Sequence, residues 1–254
     1  MLPIRDHNPS GRKPLVTTTL IVINVVVFLS YFPGMESDRA AAAFFGTWGL
    51  VPARIGLGQG YETFVTSMFL HGGWMHLIGN MLFLWIFGDN LEDAMGHARF
   101  LAFYVAAGLA AALGQMAADP GSLVPMVGAS GAIAGVMGGY LLLFPRARVD
   151  VLMIFVVFVR VFAVPAWLML GLWFALQLAS GALMPADLGG VAYWAHAGGF
   201  VAGLALAVPV WLRRGGTAFW GQTEGAPPHP AARYPLRRSA IPQVPRKDRR
   251  GPWG

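Results

Sequence analysis

Long uncharged apolar blocks, rather than apolar residues at helix or strand spacing, decide what this chain can become. The run "LVTTTLIVINVVVFLSYF", Leu15 to Phe32, carries no charged side chain. As a helix it would be about 27 Å long, close to the thickness of a hydrocarbon core at about 30 Å. Comparable blocks recur as far as Leu212, and only 12% of residues are charged against 56% hydrophobic. That charged fraction is about half of a soluble domain's, and the mean hydropathy is +0.57. The pattern excludes an ordinary soluble domain and predicts an all-α, polytopic membrane protein.

Breaks between the blocks set the expected organisation. A short polar, basic segment, residues 1–14, precedes a core over 15–212. Six spans are expected in it: Leu15 to Phe32, Trp74 to Phe87, Phe100 to Met116, Ser130 to Phe144, Ala166 to Ser180 and Ala195 to Leu212. The second ends at the acidic cluster "GDNLED", whose Asp89, Glu92 and Asp93 are expected to cap its inner end. The fourth stops at "PRAR", where Pro145 cannot continue a helix comfortably. Val149 to Val164 is apolar but broken by Arg160 and closed by Pro165, so it is expected at the inner interface rather than across the membrane. Residues 213–254, rich in Pro, Gly and Arg, read as a disordered basic tail that can touch anionic lipid.

Charge fixes the expected orientation. Arg5, Arg12, Lys13, Arg99, Arg146, Arg148, Arg213 and Arg214 fall on one side of a six-span layout, and Arg39 and Arg54 on the other. By the positive-inside rule both termini are cytoplasmic. The same rule accounts for the net charge of +6 without a nucleic-acid partner. With no cysteine, disulfides, thiolate metal sites and a cysteine nucleophile are excluded. No internal repeat suggests a transporter built from two halves.

Polar residues within spans are costly and each needs a reason. His71, His76 and Asn80 lie in "HGGWMHLIGN", Ser130 in "VGASGAIAG" and His196 in "WAHAGGF". The second, fourth and sixth spans run in the same direction, so these N-terminal ends share a leaflet and their polar groups share a depth. His76 and Asn80, four apart, share a helix face. A fourth span of about 22 Å, with its inner end fixed by arginines, sinks Ser130 below the outer surface into a wet pocket. Gly128 and Gly131, flanking Ala129 and Ser130, allow a tight turn and close helix approach. Ser130 then sits at a helix N-terminus, a place suited to a serine nucleophile and an oxyanion. His196 can act as general base, and His76 and Asn80 as hydrogen-bond donors. His71 is expected at the pocket mouth or the interface, and His7, His97 and His229 as solvated bystanders. His71 and His76 are spaced poorly for a shared metal ion, so no metal and no cofactor are expected.

"HGGWMHLIGN", "GASG" and "AHAGGFVAG" resemble, in order and spacing, the signatures of rhomboid intramembrane serine proteases. The resemblance covers about Leu15 to Leu212. It implies a six-helix rhomboid-like bundle and a Ser–His dyad without an acidic third member, Ser130 being the nucleophile and His196 the base. It further implies an oxyanion hole from His76, Asn80 and the Ser130 backbone N–H, and close packing of Gly199 and Gly203 against the fourth span near Gly135. Implied partners are transmembrane protein substrates cut near the outer leaflet, within the lipid bilayer of a cell membrane, the bacterial cytoplasmic one being expected.

Two positions depart from the family. Where members often carry a Trp-Arg pair in the first outer loop, this chain has Glu62 and Thr63. Where some members place an aromatic ring beneath the catalytic imidazole, it has Ala134. Two other classes compete with the protease: an inactive relative that escorts membrane clients, and a transporter. The first usually lacks the serine or the histidine, and the second would leave "GASG" without a task.

Overall fold

The computed structural model describes residues 2–155, 158–183, 191–223 and Gly225. Helices dominate. α1 spans Leu15–Tyr31, and three short helices, α2 (Asp38–Trp48), α3 (Pro52–Gly56) and α4 (Thr63–Thr66), connect it to α5 (Trp74–Met95). α6 (His97–Ala118), α7 (Ser130–Leu143), α8 (Ala166–Leu183), α9 (Tyr193–Arg213) and α10 (Thr217–Thr223) follow. By length and composition, four stretches among the described residues can cross a membrane: Leu15–Gly34, His97–Ala118, Ala166–Leu183 and Tyr193–Arg213. α7 is apolar but shorter.

α1 buries one stripe, Thr17, Leu20, Asn24, Phe28 and Tyr31, and leaves Val22, Val26 and Leu29 exposed on the rest of its surface. The three- and four-residue spacing of that stripe is the helical period, so α1 is a peripheral helix with one face on the bundle. α7 differs: every residue from Gly131 to Tyr140 is buried. It is the axis around which α5, α6 and α9 pack.

Glycine makes that central position possible. A Cβ at Gly199 would collide with the Gly131 carbonyl oxygen, and one at Gly203 with the Gly135 carbonyl and Cα. Backbone therefore touches backbone along the α7–α9 seam, the close approach that small residues permit between membrane helices. Gly135 does face Gly203, and Gly199 meets the turn before it, at Gly131.

The acidic cluster does not end the second span. α5 runs through Asp89, Glu92 and Asp93 to Met95 and stops at Gly96, whose φ is +81°. Glu92 caps a different helix: its carboxylate accepts from Val16 N–H and Thr17 N–H at 2.8 Å each and from Thr17 Oγ1–H at 2.7 Å. α1 has no capping side chain of its own. The buried carboxylate thus satisfies first-turn donors where the helix dipole favours negative charge. His97 Nδ1 lies 2.5 Å from Glu92 Oε1, the oxygen that also accepts from Val16 N–H, so this partly exposed ring has a structural partner.

Two further departures lie on the same side of the molecule. Against the all-α expectation, the described residues between Val149 and Val164 lie in two antiparallel strands, β2 (Arg148–Phe155) and β3 (Phe158–Pro165), and Leu2–Asp6 adds a strand, β1, in the order β1-β2-β3, all antiparallel. β-branched and aromatic side chains favour this pleated arrangement over a broken helix. Asp150 on β2 binds Arg5 at 2.9 Å and His7 at 2.7 Å, giving His7 a partner as well. The expected tail also starts later than residue 213. α10 packs back on the bundle, with Phe219 buried and Trp220 Nε1–H donating to the Leu142 carbonyl at 2.9 Å. His229 and the rest of the tail lie outside the described residues.

β1 reaches the core through Asp6, whose carboxylate accepts from Tyr140 Oη–H at 2.8 Å and Asn90 Nδ2–H at 3.1 Å. Burial pushes the Asp6 carboxyl up from 3.8 to about 7, and the nearby charge of Asp89 adds to this, against the Tyr140 hydrogen bond. A raised folded-state value means the stabilisation is complete below the unfolded value and is lost as pH rises through about 7. The thermal midpoint of the wild type should therefore fall between about pH 5 and pH 8 more than that of Asp6→Asn, measured in one detergent. In the glycine seam, Gly203→Ala should lower stability by about 1–3 kcal/mol in denaturant titrations, as overpacking does. Gly171→Ala on α8, where a Cβ meets nothing within 4 Å, should not lower it.

Candidate active site

α5, α7, α8, α9 and the segment before α7 enclose a cavity of about 730 Å³. Its walls include His76, Asn80, Ser130 and His196, the four groups that the sequence expects at one depth, together with Gln115 and Trp173. His76 and Asn80 come from the first two turns of α5, Ser130 is the first residue of α7, and His196 is in the first turn of α9.

Ser130 Oγ lies 2.7 Å from His196 Nε2. The glycine seam sets this distance, because a helix separation widened by side chains would carry the hydroxyl away from the ring. On its other edge, His196 Nδ1 lies 2.8 Å from Gln177 Oε1 of α8. The Trp173 ring, one turn earlier on α8, sits 5.7 Å from the imidazole between centroids. Ala134 contributes only a buried methyl group.

His76 is held from behind. The Gly72 N–H donates to His76 Nδ1 at 3.2 Å, so in the neutral ring Nε2 carries the hydrogen. That Nε2 would stand 2.8 Å from a Cβ at Gly128, and Ser130 Oγ would stand 3.4 Å from it. Gly128 has φ +126°, a conformation that L side chains rarely adopt. Its missing side chain therefore leaves open the space between serine and histidine, and its N–H donates to the Ser67 carbonyl at 2.9 Å to fix the turn. Ala129, fully buried, is the N-cap of α7. Asn80 is 7% exposed, and its Nδ2 has no protein hydrogen-bond partner. The site thus offers donors with unspent capacity beside a hydroxyl that is hydrogen-bonded to a histidine: Asn80 Nδ2–H, His76 Nε2–H and the first N–H groups of α7.

His71 lies at neither of its expected places. It is wholly buried, outside the cavity wall, with its ring 5.0 Å from that of His76. Tyr31 Oη holds its backbone by accepting from the His71 N–H at 2.7 Å and donating to its carbonyl at 2.8 Å. This clamp fixes the segment leading into α5. Where the Trp-Arg pair is missing, Arg54 fastens the outer loop instead, donating to the carbonyls of Gly46 at 2.6 Å and Thr47 at 3.0 Å. Sequence reasoning passed over Gln115, which accepts from the Ala195 N–H at 3.2 Å, and Gln177. Each is a lone amide in an apolar helix, which is itself a signal.

A serine hydrogen-bonded to a histidine thus lies on the wall of a hollow inside a bundle whose apolar helices mark a multi-pass membrane protein. Residues 58–213 match the Rhomboid domain, and the chain belongs to the Rhomboid family. It is 34% identical over 148 residues to "Rhomboid protein 1, mitochondrial" of Saccharomyces cerevisiae, covering 55% of this chain and 39% of that protein. It is 32% identical over 130 residues to "Rhomboid protease GluP" of Bacillus subtilis, covering 51% and 24%. With "RHOMBOID-like protein 5" of Arabidopsis thaliana the identity is 39% over 77 residues, covering 30% and 25%. The matches span less than half the length of each of these relatives.

A fluorophosphonate probe should label the wild type. Gly128→Ala should lose at least about 90% of that labelling rate while remaining folded in detergent, because its methyl group enters the space between Ser130 and His76.

Proposed function

We propose that this protein is an intramembrane serine endopeptidase that cuts transmembrane segments of other membrane proteins near the outer leaflet. The observation that carries the proposal is the 2.7 Å contact between Ser130 Oγ and His196 Nε2 on the wall of the cavity. Membership of the Rhomboid family and similarity to the rhomboid protease of Bacillus subtilis support it.

In this reading Ser130 Oγ attacks the scissile carbonyl carbon as its proton passes to His196 Nε2. The carbonyl oxygen becomes an oxyanion, stabilised by Asn80 Nδ2–H, His76 Nε2–H and the Ser130 backbone N–H. Collapse of the tetrahedral intermediate breaks the C–N bond, and the imidazolium returns its proton to the leaving amine. Water, deprotonated by His196, then attacks the acyl-serine ester and restores the hydroxyl. A substrate helix satisfies its own backbone hydrogen bonds and must unwind locally before its carbonyl can enter. Segments with helix-weakening residues are therefore the expected substrates.

The topology belongs to the same proposal. α1, α5, α6, α7, α8 and α9 form six spans, with both termini on the cytoplasmic side together with the β1-β2-β3 sheet. The short α7 sets Ser130 below the outer surface. A bacterial cytoplasmic membrane is the proposed location.

Purified protein should cleave a model transmembrane substrate in vesicles, and Ser130→Ala should abolish cleavage without loss of fold. Unchanged cleavage by that variant rejects the nucleophile. Asn80→Ala should lower kcat by about 10²–10³, the loss typical of one oxyanion donor. A protein that binds such segments, yet neither cuts them nor reacts with a fluorophosphonate, would instead be a client-binding member of the family.

A further inference from the structure

A serine–histidine pair works only if the imidazole presents an unprotonated nitrogen to the hydroxyl, and two neutral tautomers compete for that role. In soluble serine proteases a carboxylate on the far nitrogen selects the tautomer. Exchanging it for an amide that selects the wrong one costs about 10⁴ in kcat. Here the far nitrogen, Nδ1, faces the side-chain carbonyl oxygen of Gln177 at 2.8 Å. That oxygen can only accept, so Nδ1 must carry the hydrogen, and the lone pair of Nε2 is left for Ser130 Oγ at 2.7 Å.

We propose that Gln177 is the positioning residue of the dyad, holding His196 in the tautomer that can accept the serine proton; this rests on the protease reading above. Three observations carry it. The residue four after the serine is Ala134, whose methyl group offers the ring no hydrogen bond. Besides Ser130, the side chains that meet the imidazole from outside its own helix, Gln177 and Trp173, come one turn apart from α8. Gln177 is half-buried behind the ring and does not line the cavity, so its place suits orientation of His196 rather than contact with substrate.

An amide also fits the surroundings. A carboxylate at this depth would have to stay ionised in an apolar bundle, at a desolvation cost of several kcal/mol. The neutral carbonyl selects the same tautomer and still accepts from the imidazolium when the proton arrives. The apolar packing of α8 keeps it in place: Phe174 stacks on Phe200 of α9 with ring centroids 4.5 Å apart.

The test uses the full-length protein, with Gln177→Met as the near-isosteric loss of the acceptor and Gln177→Glu as its conservative restoration. Ser130→Ala serves as the catalytic control. The expected result is a kcat lowered at least about tenfold in Gln177→Met with KM within about twofold, and recovery to within about threefold in Gln177→Glu. The second readout is the ¹⁵N spectrum of the His196 ring: Nδ1 protonated in wild type, and a mixture of tautomers in Gln177→Met. Wild-type kcat in Gln177→Met, or an Nε2-protonated ring in wild type, overturns the proposal. If Ser130→Ala cleaves as fast as wild type, the protease reading fails, and the ¹⁵N spectrum alone decides whether Gln177 sets the tautomer.

Discussion

The backbone contact between α7 and α9 is the constraint on which the site depends. Ser130 begins one of these helices and His196 sits in the first turn of the other, 66 residues apart in sequence. Their side chains meet only because Gly199 and Gly203 let α9 lie directly on the carbonyls of Gly131 and Gly135. In a bilayer no hydrophobic driving force pulls helices together, so dispersion along such a seam must hold them. One pair of helices therefore supplies both the packing axis of the bundle and the geometry of the Ser130–His196 contact.

Around that axis, several polar groups are satisfied by neighbours distant in sequence. Glu92 of α5 closes the N-terminus of α1, Asp6 of β1 takes the hydroxyl hydrogen of Tyr140 at the inner part of α7, and Gln115 of α6 accepts from the start of α9. Left unpaired at such depth, each would be costly. Paired, they lock the register of neighbouring helices, which dispersion alone specifies weakly. Asn80, by contrast, keeps an unpartnered donor on the cavity wall.

The helices were legible because their apolar blocks are long, and their predicted ends lie within a few residues of the observed ones except at α5. There the charged run "GDNLED" looked like an exit into water, whereas Glu92 is buried against α1 and the helix continues. The sheet was not legible. β1 is a strand only because β2 lies beside it, and β2 and β3 carry a nearly continuous apolar run that lacks the alternation of a half-exposed strand. The polar constellation was readable from residue types and a shared depth. The tautomer-setting role of Gln177 was not, since a single amide in α8 points at nothing until α9 is beside it. His71 stood in the right motif, yet its ring turned out to be sealed behind His76 and its backbone tied to Tyr31.

The pairing of β1 with β2 has a bearing on how the molecule is made. Arg5 and Asp150 are separated by 145 positions. At ribosomal speeds of roughly 5–20 residues per second, the first strand waits on the order of ten seconds for its partner to emerge. Until then Arg5 and His7 lack the Asp150 carboxylate, although Asn90 and Tyr140, the partners of Asp6, have already been made. Closure of that strand onto β2 is thus a late event in biogenesis, joining a segment made before α1 to one made only after α7 has been completed.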